Sequence, residues 1–283
     1  MASATQKRIY LTRHAEAEHN VTEDWTIHDA PLTFRGRQQA ASLNQTTKDT
    51  IQSSADLLVT SGLRRTLSTT IIGYPALRKR LDTEGKPIVI LPQLQEVNYL
   101  PCDTGSVRPS SSMFPAHAAP HLESHLPFPH PLTPLPLPLP PSSTPTPSKI
   151  DTSRNQAREV LEADPEYAGL DFSLLKPEWT SKAGFYAATE DAICARARWV
   201  RRWLRVRPEQ RIAVVSHGDF LRYLTRGYNT HEPWANIEVR EYMFAVDEAD
   251  DVDGEAWLVP VPVEQAVPVP VEGESEPTSS ERA

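Results

Sequence analysis

Five residues of types that can transfer a phosphoryl group stand directly after short apolar runs of the sequence. Arg13 and His14 follow the first run, Arg64 and Glu96 follow two later runs, and His217 follows a fourth. A neutral imidazole can attack phosphorus, a guanidinium fork binds phosphate oxygens, and a carboxyl group can give a proton to a leaving alcohol. These residue types together predict phosphoryl transfer with a histidine nucleophile.

The elements that must carry these residues can be predicted from hydrophobic patterning. The short apolar runs predict four buried strands: Arg8–Thr12, Asp56–Thr60, Pro87–Leu94 and Arg211–Ser216. Apolar residues recur at helical spacing in the segments after Thr33 and after Gly62, across Thr189–Val206, and after His217. Strands that alternate with helices predict a mostly parallel sheet covered on both faces, a three-layer α/β/α sandwich. Because ligands bind at the carboxyl ends of such strands, the five residues are expected to meet there.

Composition limits the partners that this chain can have. The formal net charge of −8 over 283 residues argues against a nucleic-acid surface, which needs a basic footprint. With only Cys102 and Cys194, no disulfide framework or CxxC metal site is expected. No apolar run has the length of a membrane span. The expectation is a cytoplasmic protein with no metal, no cofactor and no membrane partner, whose oligomeric state the sequence leaves open.

Three segments of the chain match known motifs. YLTRHAEAEHN, SGLRRTLST and VSHGDFLRYL resemble, in this order, the RHG signature, the S-x-L-x-R-x-x-x-T helix start and the second histidine motif of the histidine phosphatase superfamily, also called phosphoglycerate mutase-like. The resemblance extends from Arg8 to about Asp247, apart from one Pro-rich segment. It implies the phosphoglycerate mutase-like fold.

The resemblance also implies a role for each candidate residue. His14 would become phosphohistidine, Arg13, Arg64 and His217 would complete the phosphate pocket, and Glu96 would be the acid and base. Asn20, which stands at the Asn position after the RHG segment, would add a further phosphate contact. The sequence departs from the family pattern at two positions, with Ala15 in place of the usual Gly and Gly62 in place of the usual Pro.

The function predicted from these roles is a metal-independent phosphatase of the histidine acid type, acting on a small phosphorylated metabolite. LQEVNYLPCDTGS, WTSKAGFYA and WANIEVREYMF look like a fungal-type branch of probable phosphatases, and the ERHYG-like segment of the mutases is missing. A phosphoglycerate-type mutase and a catalytically weak phospho-ligand binding protein are the alternatives. The substrate cannot be named from the sequence.

Domain organisation is predicted from changes in composition. We expect one domain over 1–248, interrupted by a Pro-rich insertion at about 107–153, and an acidic Pro/Val-rich flexible tail over 249–283 with an edge strand near Trp257. Whether the insertion is functional or a retained intron stays open. The arginines that face away from the apolar side of Thr189–Val206 are expected to be solvated: Arg196, Arg198, Arg201, Arg202 and Arg205.

Deletion of residues 107–153, which joins Ser106 to Arg154, tests the prediction for the insertion. We expect the melting temperature to stay equal or rise slightly, because the entropy of closing a loop grows only logarithmically with its length. The kcat/KM for p-nitrophenyl phosphate should be unchanged or higher. Thermal melts and initial rates measure both, and a variant that does not fold, or that loses its substrate, would contradict the prediction. Transcript sequencing decides the intron question separately.

Overall fold

A computed structural model of the chain describes residues 3–106, 156–227 and 233–262. In these residues one six-stranded sheet has the strand order β3-β2-β4-β1-β5-β6. The strands are β1 Arg8–Arg13, β2 Leu57–Thr60, β3 Val89–Ile90, β4 Arg211–Ser216, β5 Val239–Phe244 and β6 Leu258–Pro260. The α-helices are α1 Glu18–Thr22, α2 Phe34–Thr47, α3 Ile51–Ser54, α4 Arg64–Gly73, α5 Pro75–Thr83, α6 Gln156–Ala163, α7 Glu190–Val206 and α8 Gly218–Arg226.

The pairing of the parallel strands brings their carboxyl ends to the same edge of the sheet. Strands β1, β4, β2 and β3 pair in parallel, whereas β5 and β6 add antiparallel strands at one side. Arg13 lies opposite Ser216, and Thr60 lies opposite both Val215 and Ile90. The residues that follow β1, β2 and β4 therefore emerge at one edge, as the sequence predicts.

Helices cover both faces of the parallel strands, and this confirms the predicted α/β fold. Alternate strand residues such as Leu11 and Val214 pack with the apolar side of α7 and α8. The other face of the sheet, with Leu58 and Ala213, packs against Leu43 of α2 and the apolar side of α5. This two-sided burial explains why the strands consist of apolar runs rather than alternating apolar and polar residues.

The third strand is shorter than predicted. The apolar run extends over Pro87–Leu94, but only Val89–Ile90 pairs with β2, and Pro92–Leu94 forms a 3-10 turn. Pro92 cannot donate a ladder hydrogen bond, so it ends the strand and begins the turn. The turn is fixed to the sheet by Ser216, whose hydroxyl donates to the carbonyl of Leu94 at 2.8 Å. Glu96 follows this turn and so lies close to the carboxyl end of β4.

A separate cluster covers the outer side of α4. Trp179, Phe172 and Leu175 pack with α6 and with Leu63 and Leu67. Trp179 comes so close to Gly105 that a Cβ there would lie 2.5 Å from its ring. A glycine is therefore required at this position, which ties the segment after Glu96 to the segment that precedes α7.

The arginines of α7 correct the sequence prediction of a solvated face. Arg196, Arg201 and Arg205 are buried, whereas Arg198 and Arg202 are exposed. The side chain of Arg201 pairs with Glu255 at 2.6 Å, and Arg205 pairs with Asp251. Helical period alone could not predict this burial, because Glu255 and Asp251 lie far along the chain from Arg201 and Arg205, and Arg196 contacts Glu96 and Phe220.

The C-terminal edge strand expected near Trp257 is present as β6, which pairs with β5. The predicted insertion at about 107–153 and the tail beyond residue 262 lie outside the described residues, so the division into 1–248 and 249–283 stays a prediction. Among the helices that the structure describes, none is both long and apolar enough to cross a bilayer.

Candidate active site

His14 is the first residue after β1, and its surrounding loop is held on several sides. Its backbone N–H donates to the carbonyl of Ser216 at 2.9 Å, and the N–H of Ala15 donates to the hydroxyl of Thr69 at 3.0 Å. A Cβ at Gly36 of α2 would lie 1.9 Å from the carbonyl oxygen of Glu16, so α2 packs directly on this loop. The imidazole is therefore carried by a fixed backbone.

One nitrogen of the His14 ring faces its own loop, and the other nitrogen faces α4. Its Nδ1 lies 2.6 Å from the carbonyl of Ala15, which can only accept, so Nδ1 carries the proton. Nε2 then holds the lone pair and accepts from Nε–H of Arg65 at 3.3 Å. Burial, and then the charges of Arg65 and Arg13, hold the pKa of His14 well below its usual value. The ring is thus a neutral imidazole with its lone pair on Nε2.

The structure corrects the prediction that Arg64 belongs to the phosphate pocket. Arg65 is the arginine that reaches His14, and its side chain is 0% exposed. The guanidinium of Arg64 is half-buried at the surface, where it pairs with Asp164 at 3.5 Å. In the S-x-L-x-R pattern, counted from Ser61, the arginine position is Arg65, because Arg64 occupies the preceding variable position.

The guanidinium of Arg65 is fixed by the turn Pro101–Asp103. Nη1 donates to the carbonyl of Cys102 at 2.6 Å, and Nη2 pairs with the carboxylate of Asp103 at 2.8 Å. Because every nitrogen of this buried cation has a partner, its orientation is defined. Cys102 and Asp103 therefore support the arginine.

Asp29 organises the start of α4 from a loop before α2. Its carboxylate is fully buried and accepts from the backbone N–H of Arg64 at 2.9 Å and from the N–H and hydroxyl of Ser106. A carboxylate at this position satisfies a free N–H of the helix start. It fixes the first turn of the helix, which carries Arg65, relative to the segment after Asp103.

His217 follows β4 and lies beside His14, with 5.2 Å between the ring centroids. Its Nε2 lies 2.9 Å from the hydroxyl of Ser61, and its buried Nδ1 has no hydrogen-bond partner within residues 3–106, 156–227 and 233–262. Burial and the charge of Arg65 hold the pKa of His217 well below its usual value. The structure therefore brings the two predicted histidines together as neutral rings.

Arg13 and Asn20 both line the same cavity as His14. The guanidinium of Arg13 donates to the carbonyl of Trp234, and its buried Nε has no hydrogen-bond partner in the part of the chain that the structure describes. The amide of Asn20 is used locally, since its Oδ1 accepts from the N–H of Ala17 at 3.0 Å and its Nδ2 lies 3.1 Å from Nε2 of His19. The predicted phosphate contact of Asn20 stays a prediction.

Glu96 presents its carboxyl group to the cavity from the opposite side. Its Oε1 accepts from the backbone N–H of Val97 at 3.0 Å and from that of Phe220 at 3.1 Å. Burial, together with the negative charges of Asp219 and Asp103, raises the pKa of Glu96 to about 7. A carboxyl group with this pKa can both give and take a proton near neutral pH.

Of these residues, Arg13, His14, Asn20 and Glu96 line a cavity of about 350 Å³. Its outer wall combines aromatic, apolar and polar groups: Trp25, Asn98, Leu100, Asp219, Arg222 and Trp234. In the described part of the chain, no three His, Cys, Asp or Glu side chains are arranged to hold a metal ion.

The two departures from the family pattern fit the structure. The residue at position 15 is buried and does not belong to the set with positive φ, so an alanine adopts this backbone without strain. At Gly62, a Cβ would lie 3.0 Å from Leu175 and 3.2 Å from Trp179. Gly62 therefore makes room for the cluster over α4.

Sequence reasoning missed Arg65, Asp29 and His19. The motif spacing could have identified Arg65. His19 is buried and its ring centroid lies 6.2 Å from that of His14, and its only signal is its position inside the first motif. Nothing in the sequence marks Asp29, because its partners come from separate segments.

Comparison with known families finds a match over residues 9–125 to the histidine phosphatase superfamily (branch 1). Over these residues the match agrees with the superfamily that the motifs resemble. Comparison with curated proteins finds no match.

Solved structures with a similar chain path include several phosphatases. A phosphoserine phosphatase from Entamoeba histolytica, in complex with 3-phosphoglyceric acid, has 15% identity and a TM-score of 0.41 over 84% of this chain and 90% of that chain. A putative alpha-ribazole-5'-P phosphatase from Escherichia coli has 15% identity and a TM-score of 0.45 over 90% and 94%. A mycobacterial glucosyl-3-phosphoglycerate phosphatase has 16% identity and a TM-score of 0.43 over 84% and 94%.

Replacement of each neighbouring arginine by lysine tests the correction from Arg64 to Arg65. We expect Arg65→Lys to lower kcat/KM for p-nitrophenyl phosphate by about 10²-fold or more, because an ammonium cannot reproduce the fork that spans His14 and Asp103. Arg64→Lys is the matched control and should stay within about threefold of the unchanged protein, because its surface ion pair contributes little. Steady-state kinetics measure both, with melting temperatures to exclude unfolding. A larger loss of kcat/KM in Arg64→Lys than in Arg65→Lys would show that Arg64, and not Arg65, belongs to the pocket.

Proposed function

Because residues 9–125 of this chain match the histidine phosphatase superfamily, we propose that it is a metal-independent phosphatase of the histidine acid type. It hydrolyses the phosphomonoester of a small phosphorylated metabolite through a phosphohistidine on His14. The observation that carries this proposal is the state of His14, a buried neutral ring with its proton fixed on Nδ1 and its lone pair on Nε2.

In the first half of the reaction, Nε2 of His14 attacks phosphorus and the bond to the leaving alcohol breaks. Arg65 Nε–H lies 3.3 Å from Nε2, so it can turn from the imidazole to a phosphoryl oxygen as the substrate binds. Arg13 and His217 offer further hydrogen-bond donors from two other strand ends. Donors fixed in a buried pocket stabilise the charge that spreads over the phosphoryl oxygens.

Glu96 moves the protons in both halves of the reaction. In its protonated form it gives its proton to the departing alcohol oxygen, which leaves a carboxylate. This carboxylate then takes a proton from the water that attacks the phosphohistidine, so the P–N bond breaks and inorganic phosphate leaves. The raised pKa of Glu96, about 7, supports this double role, because both protonation states are populated near neutral pH.

Two finer assignments belong to the same proposal. We assign the chain to the fungal-type branch because the segments that resemble it supply Glu96, Asp103, Trp179 and Trp234, which build or support the cavity. We also propose a cytoplasmic location, in keeping with its low cysteine content. The backbone at Ala15 is not strained, and this supports turnover of the substrate rather than binding alone.

Replacement of His14 by Ala tests the nucleophile. We expect activity on p-nitrophenyl phosphate to disappear, together with any acid-labile, alkali-stable phosphate that can be trapped on the protein, because no other group can form the covalent intermediate. Rapid quenching with ³²P-labelled substrate measures the trapped phosphate, and assays in chelator test metal independence. Substantial activity in the variant, or loss of activity in chelator, would contradict the mechanism.

Replacement of Glu96 by Gln tests the acid. The loss in kcat should be about 10²-fold or more for an alkyl phosphate but much smaller for p-nitrophenyl phosphate, whose phenolate needs almost no proton to leave. In the unchanged protein, alkyl phosphate turnover should decline as the pH rises through about 7, where Glu96 loses its proton. Parallel pH–rate profiles measure this difference. Equal losses on both substrates would instead give Glu96 a structural role.

A further inference from the structure

Arg196 of α7 is a buried cation that forms no ion pair with a described residue. Its side chain is 0% exposed, and its Nε and Nη1 have no hydrogen-bond partner among the residues that the structure describes. Arg201 and Arg205 of the same helix, in contrast, pair with acids. A buried guanidinium with unpaired donors is costly to the fold. Stability therefore does not explain the presence of Arg196.

The contacts of Arg196 converge on Glu96. Its Nη2 donates to the backbone carbonyl of Glu96 at 3.5 Å, and its guanidinium lies over the ring of Phe220, 4.8 Å from the centroid. Phe220 in turn donates its backbone N–H to the carboxylate of Glu96 at 3.1 Å. Arg196 thus contacts the backbone of Glu96 directly and the residue that holds its carboxyl group.

Lys182 adds a second cation to the same carbonyl. Its Nζ donates to the backbone oxygen of Glu96 at 3.3 Å, from a backbone with φ of 49°. Burial and the charge of Arg196 lower the pKa of Lys182 to about 7. Positive φ is costly for a residue other than glycine. Lys182 therefore carries two energetic costs, a strained backbone and a desolvated ammonium group, at the position from which it reaches Glu96.

We propose that Arg196 and Lys182 are positioning residues that hold the backbone of Glu96 and thereby place its carboxyl group for proton transfer. This inference rests on the proposed function of Glu96 as the acid and base. Neither cation lines the cavity, so they act through Glu96 rather than on the substrate.

Charges from every neighbouring element act on the Glu96 carboxyl group. Asp219 of α8 and Asp103 of the Pro101–Asp103 turn favour its protonated form. Arg65 of α4, Arg13 of β1 and the two cations at its backbone favour the carboxylate, as their electrostatic interactions with Glu96 indicate. Removal of Arg196 therefore removes a charge that favours the carboxylate, and Glu96 should keep its proton to higher pH.

Arg196→Met is the principal test, with Arg202→Met as the matched control because Arg202 is an exposed arginine of the same helix. For glycerol 2-phosphate we expect kcat to fall about tenfold or more in Arg196→Met, with a smaller loss for p-nitrophenyl phosphate, since only the alkyl leaving group needs the proton. The alkaline limb of the pH–rate profile should move to higher pH. The melting temperature should stay equal or rise, because a buried unpaired charge is removed. Arg202→Met should change none of these.

Arg196→Lys and Lys182→Met complete the test. The lysine variant should restore part of the lost rate, and Lys182→Met should repeat the loss in a milder form. Equal losses on both substrates with a lower melting temperature would show a structural role and overturn the inference.

A titration of the Glu96 carboxyl group by ¹³C NMR, assigned with Glu96→Gln, separates this inference from the proposed function. A pKa of Glu96 that is the same in the unchanged protein and in Arg196→Met overturns the inference, whether or not the protein turns over phosphate esters. Absence of all phosphatase activity in the unchanged protein overturns the proposed function instead. A raised Glu96 pKa in Arg196→Met supports the inference in either case.

Discussion

The buried guanidinium of Arg65 joins the separate segments of the site. It contacts His14 after β1, the carbonyl of Cys102 and the carboxylate of Asp103. A cation at 0% exposure is tolerated only when its donors are satisfied, so the turn Pro101–Asp103 must stay against α4. Asp29 secures both sides of that contact by binding the start of α4 and Ser106. His14, Arg65 and the segment after Glu96 are therefore fixed as one unit.

Burial has opposite effects on the two kinds of titratable group in this pocket, and both effects serve the proposed chemistry. It lowers the pKa of His14 and His217, which keeps the nucleophile neutral, and it raises the pKa of Glu96, which keeps a proton available for the leaving group. Each shift disfavours the charged form of its group, as desolvation requires. Burial, together with the neighbouring charges, thus favours the neutral forms of His14 and Glu96 that the proposed chemistry needs.

The arginines of α7 show how identical residues acquire different roles. Arg202 is solvated, and Arg201 and Arg205 bind the acidic segment before β6. Arg196 contacts the backbone of Glu96 and forms no ion pair with a described residue. The first is an ordinary surface residue, the next two attach the C-terminal strand, and the last supports an acid more than it supports the fold. Which role each arginine takes depends on the segment that packs over it.

Local patterns in the sequence were enough to predict the alternation of strands and helices, the mostly parallel sheet, and the approach of His14, His217, Arg13 and Glu96. Buried strands and their polar carboxyl ends are short-range features, and parallel pairing brings those ends together by geometry alone. The motif spacing also indicates Arg65, whereas the sequence prediction named the neighbouring Arg64.

The tertiary structure shows directly which of two adjacent arginines faces His14, since a step of one residue along a helix turns the side chain by about 100°. Only the tertiary structure decided that Asp29 holds α4 and that three arginines of α7 are buried. These outcomes depend on contacts between segments far apart in the chain, such as Asp29 with Ser106 or Arg201 with Glu255. Local propensity and periodicity contain no information about such contacts, because packing between distant segments determines burial and hydrogen-bond partners.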